Sequence, residues 1–335
     1  MKKLLLLLLS IYGMVTFISC AQIKNDKETN DLSKMKIKGK VKNLTETEYK
    51  AKDKFGEIQT AGMNKKSILN YNDSGNVIKI EENYYNTGGN LERSIKYKYD
   101  KKKNLLEKIF YNTDGSLAEK SIYKYNVKGQ EIEEDIYNAD GSIYMKYITK
   151  YDDKGGHEVN FYNSNGSLNQ KNTEKYDVKG NWIEQNVYDS IGSLTSKDTY
   201  KYDDKDKMIE ENNFNSDGVL NRKYTFKYDI KGNLIEQNVY KSAGSLINKY
   251  TYKYDTKDNL IETTNYKSDG SIDNKYTYKY DDEGNMIEAT EYKSYGKENE
   301  YTYTFEYDNN DNWIKQTTFE NSIPQLILKR EIEYY

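Results

Sequence analysis

Carboxylates are the first residues in this 335-residue chain whose type and spacing suggest chemistry, because the pair exemplified by Asp229 and Glu236 returns in unit after unit. Two such groups could serve as acid and base in glycoside cleavage. A hydrolase needs one differentiated site, and these acids are copied along the chain, so they read as solvated strand faces and turn caps. Acidic strings such as Asp152-Asp153 and Asp281-Asp282-Glu283-Gly284 offer oxygen ligands to Ca2+. They lack the ligand-rich loop and the closing bidentate Glu of an EF-hand. His157 is the one histidine in the chain, with no partner to complete a triad or a metal shell. Trp182 and Trp313 occupy equivalent places and could act as ligand-stacking platforms, although packing against a sheet is the plainer reading. Cys20 is the only cysteine, so neither an intrachain disulfide nor a Cys/His zinc site is expected. No catalytic residue, metal or cofactor is therefore expected, and the chain reads as a non-enzyme.

Charge narrows the partners. The chain has 51 Lys plus Arg against 54 Asp plus Glu, a net −3 made of interleaved signs. No basic stripe offers a nucleic-acid footprint, so nucleic acid is excluded as a partner. A mean hydropathy of −1.04 would suit a disordered chain, but disorder is poor in aromatics and rich in Pro. This chain has 36 Tyr and 1 Pro.

The elements that must position these residues are repeated. Tyr-Asp recurs at Tyr99, Tyr151, Tyr176, Tyr202, Tyr228, Tyr254, Tyr280 and Tyr307, with Tyr125-Asn126 filling the gap, at intervals of 25 to 27 residues. With that Tyr as position zero, Gly or Asp sits at +4, an aliphatic at +7, an aromatic at +12, a second turn near +16 and Leu or Ile at +18. Gly and Asp tolerate positive φ, so the strings around Gly232 and Asp258 are hairpin turns. Between turns the pattern alternates, as in Lys275-Tyr276-Thr277-Tyr278-Lys279-Tyr280, which predicts strands with tyrosines on one face and Lys and Thr on the other. The expected fold is all-β: an antiparallel hairpin meander of about twenty strands wound into an elongated or spiralling sheet, about 26 residues per repeat. Rings laddered on one face would replace an aliphatic core.

The N-terminus reads as an address. A charged start, an apolar run from Leu4 to Leu9 and small residues before Cys20 form a secretion signal rather than a permanent membrane helix. Phe17-Ile18-Ser19-Cys20 resembles the lipobox of bacterial lipoproteins, in which the Cys becomes the lipidated first residue. Ala21 after that Cys implies, by the sorting rule of Gram-negative lipoproteins, the outer membrane, facing either the periplasm or the outside. The resulting organisation is a signal peptide over 1–19, lipidated Cys20 with a flexible tether over 20–36, a capping β region over 37–70 and the repeat domain over 71–335. The unit running from Tyr278-Lys279-Tyr280-Asp281 through Gly284-Asn285-Met286-Ile287-Glu288 resembles the YD or RHS repeat of bacterial Rhs proteins, toxin shells and teneurins. That resemblance implies spiralling β-sheets. The chain is too short for a toxin-encapsulating shell, and no toxin domain or autocleavage motif follows the repeats. A weaker similarity is to MORN-like repeats.

These readings converge on a lipid-anchored protein of the bacterial cell envelope, held on the membrane through Cys20 and acting as a non-enzymatic scaffold for protein or envelope-polymer contact. The alternatives are binding of carbohydrate or cell-wall polymer through Tyr and Trp faces, and a toxin-associated or immunity role suggested by the repeat alone.

Overall fold

Among the described residues, twenty-two antiparallel strands follow one another, from β1 (Val41–Lys54) and β2 (Glu57–Tyr71) to β22 (Ile323–Tyr334), preceded by a short helix, α1 (Asp31–Lys34). They come from a computed structural model that describes residues 30–86, 88–153 and 155–335. The expected signal peptide over 1–19 and the expected lipidation site Cys20 lie outside the described residues.

The strands do not form an open spiral. β1 pairs with β2 and also with β22, in a register that runs from Val41 opposite Tyr334 to Lys50 opposite Leu326. The sheet is therefore a closed barrel, and the expected elongated or spiralling sheet is corrected. The physical reason lies at the ends of the meander. An open sheet leaves two rows of unpaired N–H and C=O groups, and pairing first strand with last satisfies both. The repeat pattern is blind to this, because the segment that supplies β1 does not carry it.

Each repeat also sets the tilt. Asn172 pairs Val187 and Val187 pairs Ser196. A residue four before Tyr176 thus comes level with one six before Tyr202, a step of two residues per hairpin. Carried round the barrel, this makes the shear roughly equal to the strand number, as in eight-stranded α/β barrels with their tilt of about 36°. At about 4.8 Å between strands the wall is roughly 40 Å across and about 20–25 Å tall.

The step also fixes which face is inside. The N–H and C=O of Asp281 bond across the turn to Asn285 and Gly284, so residues on the Lys279 face aim their backbone groups at the following strand. For L-residues this puts the following strand on the right when the lysine face is viewed with strand β18 (Ile272–Tyr280) running up. The two-residue step then leans the strands rightward, and the right-handed twist of β-strands makes that face the outer one. The tyrosines at −4, −2 and 0 line the lumen, and those at +12, such as Tyr240 and Tyr266, lie on the outer face with the lysines.

On the outer face the glutamates at +8 are clamped by lysines, two apiece in most units and Lys279 alone at Glu288. Glu236 meets Lys227 at 2.8 Å and Lys249 at 2.7 Å, and Glu210, Glu184, Glu262 and Glu133 repeat the arrangement. A wall of paired ammonium and carboxylate groups faces water; a barrel that crosses a bilayer turns an apolar band outward.

Turns follow the expected chemistry. Lys103, Asp206, Asp258 and Asp311 adopt positive φ where other repeats place glycine. After each such turn the strand usually carries a β-bulge: Lys279 pairs Glu288 but Tyr280 pairs Met286, leaving Ile287 as the extra residue. The hairpin at Tyr151 has none, since Tyr151 pairs His157 in continuous register.

Residues 30–40 form a strap at the mouth bounded by the Tyr-Asp turns. Leu32, Ile37, Val41, Leu44 and Tyr71 make a small apolar cluster there. The strap is tied to several turns of the same rim: Leu32 N donates to Gly75 O at 3.2 Å, Lys38 N to Asn312 Oδ1 at 2.7 Å and Lys36 Nζ to Gly284 O at 3.3 Å. Gly75 is required twice over, by its φ of +74° and because a Cβ would lie 2.7 Å from the Asn30 amide nitrogen.

Candidate functional site: the luminal tyrosine wall

Alternation decides what the lumen shows. On an even-numbered strand the residues at −4, −2 and 0 point inward, and in three successive repeats these are Tyr224-Phe226-Tyr228, Tyr250-Tyr252-Tyr254 and Tyr276-Tyr278-Tyr280. They are half-buried to buried and lie side by side along the wall.

The tyrosine at position zero has a specific duty. Its hydroxyl donates to the carbonyl of the residue beside the bulge one repeat earlier: Tyr280 to Leu260 at 2.8 Å, Tyr254 to Leu234 at 3.0 Å, Tyr228 to Met208 at 2.8 Å and Tyr202 to Trp182 at 2.8 Å. A bulge interrupts the ladder and leaves a carbonyl needing a donor, which phenylalanine could not supply. Desolvation pushes Tyr202, Tyr228, Tyr254 and Tyr280 up to about 12, so these hydroxyls stay protonated donors well above neutral pH.

One sector departs from this rule. On β10 (Leu168–Tyr176), β12 (Leu194–Tyr202) and β13 (Met208–Asn215) the inward places hold Glu174, Asp198 and Glu211. Because the upstream hairpin lacks its bulge, Tyr176 turns its hydroxyl to Glu174 Oε2 at 2.7 Å. His157 Nε2 lies 3.3 Å from the same carboxylate. Burial alone would raise Glu174, but its bonds to His157 and Tyr176 hold it below the usual carboxylate range. Burial raises Glu211, and the neighbouring Asp198 adds to that despite a bond from Asn213. Between these carboxylates Trp182 stacks on Tyr200, centroids 4.5 Å apart, with its indole nitrogen buried and unpartnered. The sector combines ring faces with oxygen acceptors, the equipment for holding a polyhydroxylated or amine-bearing ligand.

The other tryptophan sits near the closure. Trp313 is covered by the guanidinium of Arg330 at 3.3 Å from its ring centre, with Phe305 at 6.2 Å, and Arg330 Nε donates to Glu46 Oε2 at 3.0 Å across the β1–β22 seam. Trp182 and Trp313 therefore share a face but lie in different sectors.

The repeated carboxylates are engaged elsewhere. Asp229 Oδ1 accepts from Lys231 N and Asn233 N, both at 2.9 Å, and so closes its turn, while Glu236 lies in the outer lysine clamp. Neither faces the lumen. Among the described residues no group of three or more His, Cys, Asp or Glu is arranged to hold a metal ion. The acidic luminal sector was missed by the reading of the sequence. Its signal was present as the failure of the Tyr pattern at Glu174 and Asp198.

A family model described only as an uncharacterised protein matches residues 167–227. No curated relative matches the chain. Among solved structures, a porin-like protein from Bacteroides uniformis is 11% identical with a TM-score of 0.28, the alignment covering 88% of this chain and 96% of that one. A porin-like protein from Bacteroides vulgatus is 10% identical with a TM-score of 0.20, covering 89% and 99%. The Photorhabdus luminescens Tc holotoxin pore is 11% identical with a TM-score of 0.20, and this chain, 84% covered, spans 26% of it.

Proposed function

We propose that the protein is a lipid-anchored, non-enzymatic binding barrel of the bacterial cell envelope, related to the YD/RHS repeat proteins, whose ligand is held against the tyrosine wall of the lumen. The observation that carries this reading is the division of labour between faces. The outer wall pairs its charges with one another, whereas the inner wall sets rows of aromatic rings among carboxylates such as Glu82, Glu134 and Glu291, and gathers Glu174, Asp198 and Glu211 around Trp182 and Tyr200. Anchoring rests on Cys20 and the signal that precedes it. Replacing Cys20 by Ser should release the protein from membranes; retention of the variant in the lipoprotein fraction would defeat the anchoring part.

A second reading concerns the ligand, and the Trp182–Tyr200 stack among Glu174, Asp198 and Glu211 favours it: an envelope glycan, with rings against sugar faces and carboxylates on hydroxyls. Soluble cell-wall glycan fragments should quench or shift Trp182 fluorescence in a Trp313→Phe background, and Tyr200→Ala should weaken the response. Fluorescence that ignores such fragments at millimolar concentration would remove the glycan reading and leave the scaffold one.

A further inference from the structure

The inner wall is not evenly charged. From β6 (Leu117–Tyr125) to β13, the inward places of the strands hold six carboxylates, Glu119, Glu131, Glu134, Glu174, Asp198 and Glu211, and no Lys or Arg. His157 is the basic group among them, and Lys207, in the turn before β13, sits over Tyr228 outside this arc. Elsewhere the same wall pairs its acids: Glu46 meets Arg330 at 3.0 Å, Glu291 meets Lys293 at 2.8 Å and Glu82 meets Lys65. Rings follow the same division. Arg330 covers Trp313, Arg93 lies 4.3 Å from the ring centre of Tyr84 and Lys108 4.7 Å from that of Phe110. Trp182 holds the same place in its repeat as Trp313, but the next strand covers it with Tyr200 instead of an arginine, and among the described residues no lysine or arginine faces the inward rings of the arc.

The carboxylates of the arc take what bonds they have from groups other than lysine and arginine. Asn213 donates to Asp198 at 2.7 Å and to Glu211 at 3.0 Å, and Tyr176 donates to Glu174 at 2.7 Å. The carboxylates of Glu119 and Glu131 accept no hydrogen bond from a described residue, and burial followed by the charge of Glu134 pushes Glu131 up. Glu174 and Asp198 are level, each opposite Gln185, on strands two apart, so the two residues stand roughly 10 Å from one another. That spacing is too wide for one metal ion. The arc as a whole spans roughly 38 Å of circumference, and subtracting side chains from the wall leaves a bore about 25 Å wide, where a helix needs about 10–12 Å. A surface so long and open fits a chain bearing many cations; a small amine would leave most of it uncovered.

We infer that the lumen seats a lysine- and arginine-rich segment of a partner protein on this arc, its guanidinium and ammonium groups meeting the six carboxylates and lying over the rings between them. The β1–β22 seam shows the same chemistry within the molecule, where Arg330 is held at once by Glu46 and by the face of Trp313. A concave wall of one sign also focuses its field, which draws a polycation into the bore. Ring faces occur all round the wall, so the partner that singles out this arc is the one that answers its charge. The inference rests on the lumen being the binding face, as proposed above, and gives that face a partner of stated chemistry.

The test is fluorescence anisotropy of a labelled peptide of alternating Arg and Ser, long enough to cross the arc, titrated at physiological salt with the mature chain carrying Cys20→Ser. The peptide should bind, and its counterpart with Glu in place of Arg should not. Glu131→Gln/Glu174→Gln/Asp198→Asn/Glu211→Gln should weaken binding by roughly tenfold to a hundredfold. Gln185→Lys, which sets an ammonium between Glu174 and Asp198, should weaken it by itself and serves where the quadruple variant fails to fold. Asp114→Asn/Asp140→Asn/Asp217→Asn/Asp269→Asn removes the same charge from turns at the rim, a place that accepts Asn in the form of Asn165, and should change little. The inference is overturned by a peptide that does not bind, by luminal or Gln185→Lys variants that bind as well as the parent, by equal loss in the rim variant, or by spermine binding more tightly than the peptide. Quenching of Trp182 by glycan fragments, measured on the same protein, separates the two failures: quenching without peptide binding removes the basic partner and keeps the lumen, and failure of both defeats the luminal reading as well.

Discussion

Removing Arg330 should unlatch the barrel. This side chain, 9% exposed, bonds Glu46 at 3.0 Å on the first strand while lying on Trp313 two strands away from it, so one residue joins the beginning of the chain to its last two strands. A largely desolvated cation over an indole contributes about 2 kcal/mol. Breaking a fully buried ion pair costs about 3–5 kcal/mol, and less where, as here, the carboxylate keeps partial contact with water. Arg330→Ala should therefore destabilise the protein by about 3 kcal/mol, and Arg330→Met, which retains cover on the ring, by roughly half of that. Urea unfolding gives the magnitude. Hydrogen exchange gives the location, because the loss should concentrate in β1 and β22 while amides in mid-barrel strands such as β18 keep their protection. Lys253→Ala provides the scale, since it removes an ion pair whose lysine is 66% exposed and whose expected worth is below about 1 kcal/mol. If Arg330→Ala costs no more than Lys253→Ala, or if exchange rises evenly round the barrel, the seam is not latched by this residue.

Two further outcomes follow from the repeat. Tyr254→Phe deletes the hydroxyl that serves Leu234 O and should cost about 1–3 kcal/mol, whereas Tyr240→Phe on the outer face should cost little; equal losses by thermal melting would dismiss the hydroxyl-to-bulge bond. Acid should loosen the outer clamps. Lys227, Lys249 and Asn238 hold Glu236 at about 2, and lysine pairs hold Glu184 and Glu210 there against a burial that alone would raise them. Folded values below the unfolded value near 4.3 mean that this stability is complete above it and is lost as pH falls from about 4.5 toward 2. A urea midpoint constant over that interval would contradict the clamps.

Local structure was legible in the sequence wherever the period held. Positive φ at Asp206, Asp258 and Asp311 follows from their substitution for glycine, and the two faces follow from alternation in Lys275 to Tyr280. Closure was not legible, because it depends on a register between Val41–Lys50 and Leu326–Tyr334, segments that share no motif and lie at opposite ends of the chain. The acidic sector was hidden for a related reason. A repeat is recognised by what recurs, and Glu174 and Asp198 matter because they do not, while the place of Glu211 varies among Glu134, Gln185, Gln237, Thr263 and Ala289 and so carries no pattern.

The same logic explains why tyrosine, and not phenylalanine, dominates position zero. Twenty-two strands enclosing a wide bore cannot be held by a conventional core, since an aliphatic lining with nothing to pack against would face water. Tyrosine resolves the conflict at a single site. Its ring covers the neighbouring strand and its hydroxyl answers the carbonyl exposed by the bulge, which in turn lets each hairpin take the same curvature. The slipped hairpin is informative because it removes one half of this arrangement. Without a bulge after Tyr151 there is no orphan carbonyl for Tyr176, whose hydroxyl goes to a carboxylate instead, and that carboxylate opens the sector where the wall ceases to be purely structural. A binding function in the lumen would thus begin where the repeat's own bonding requirement lapses.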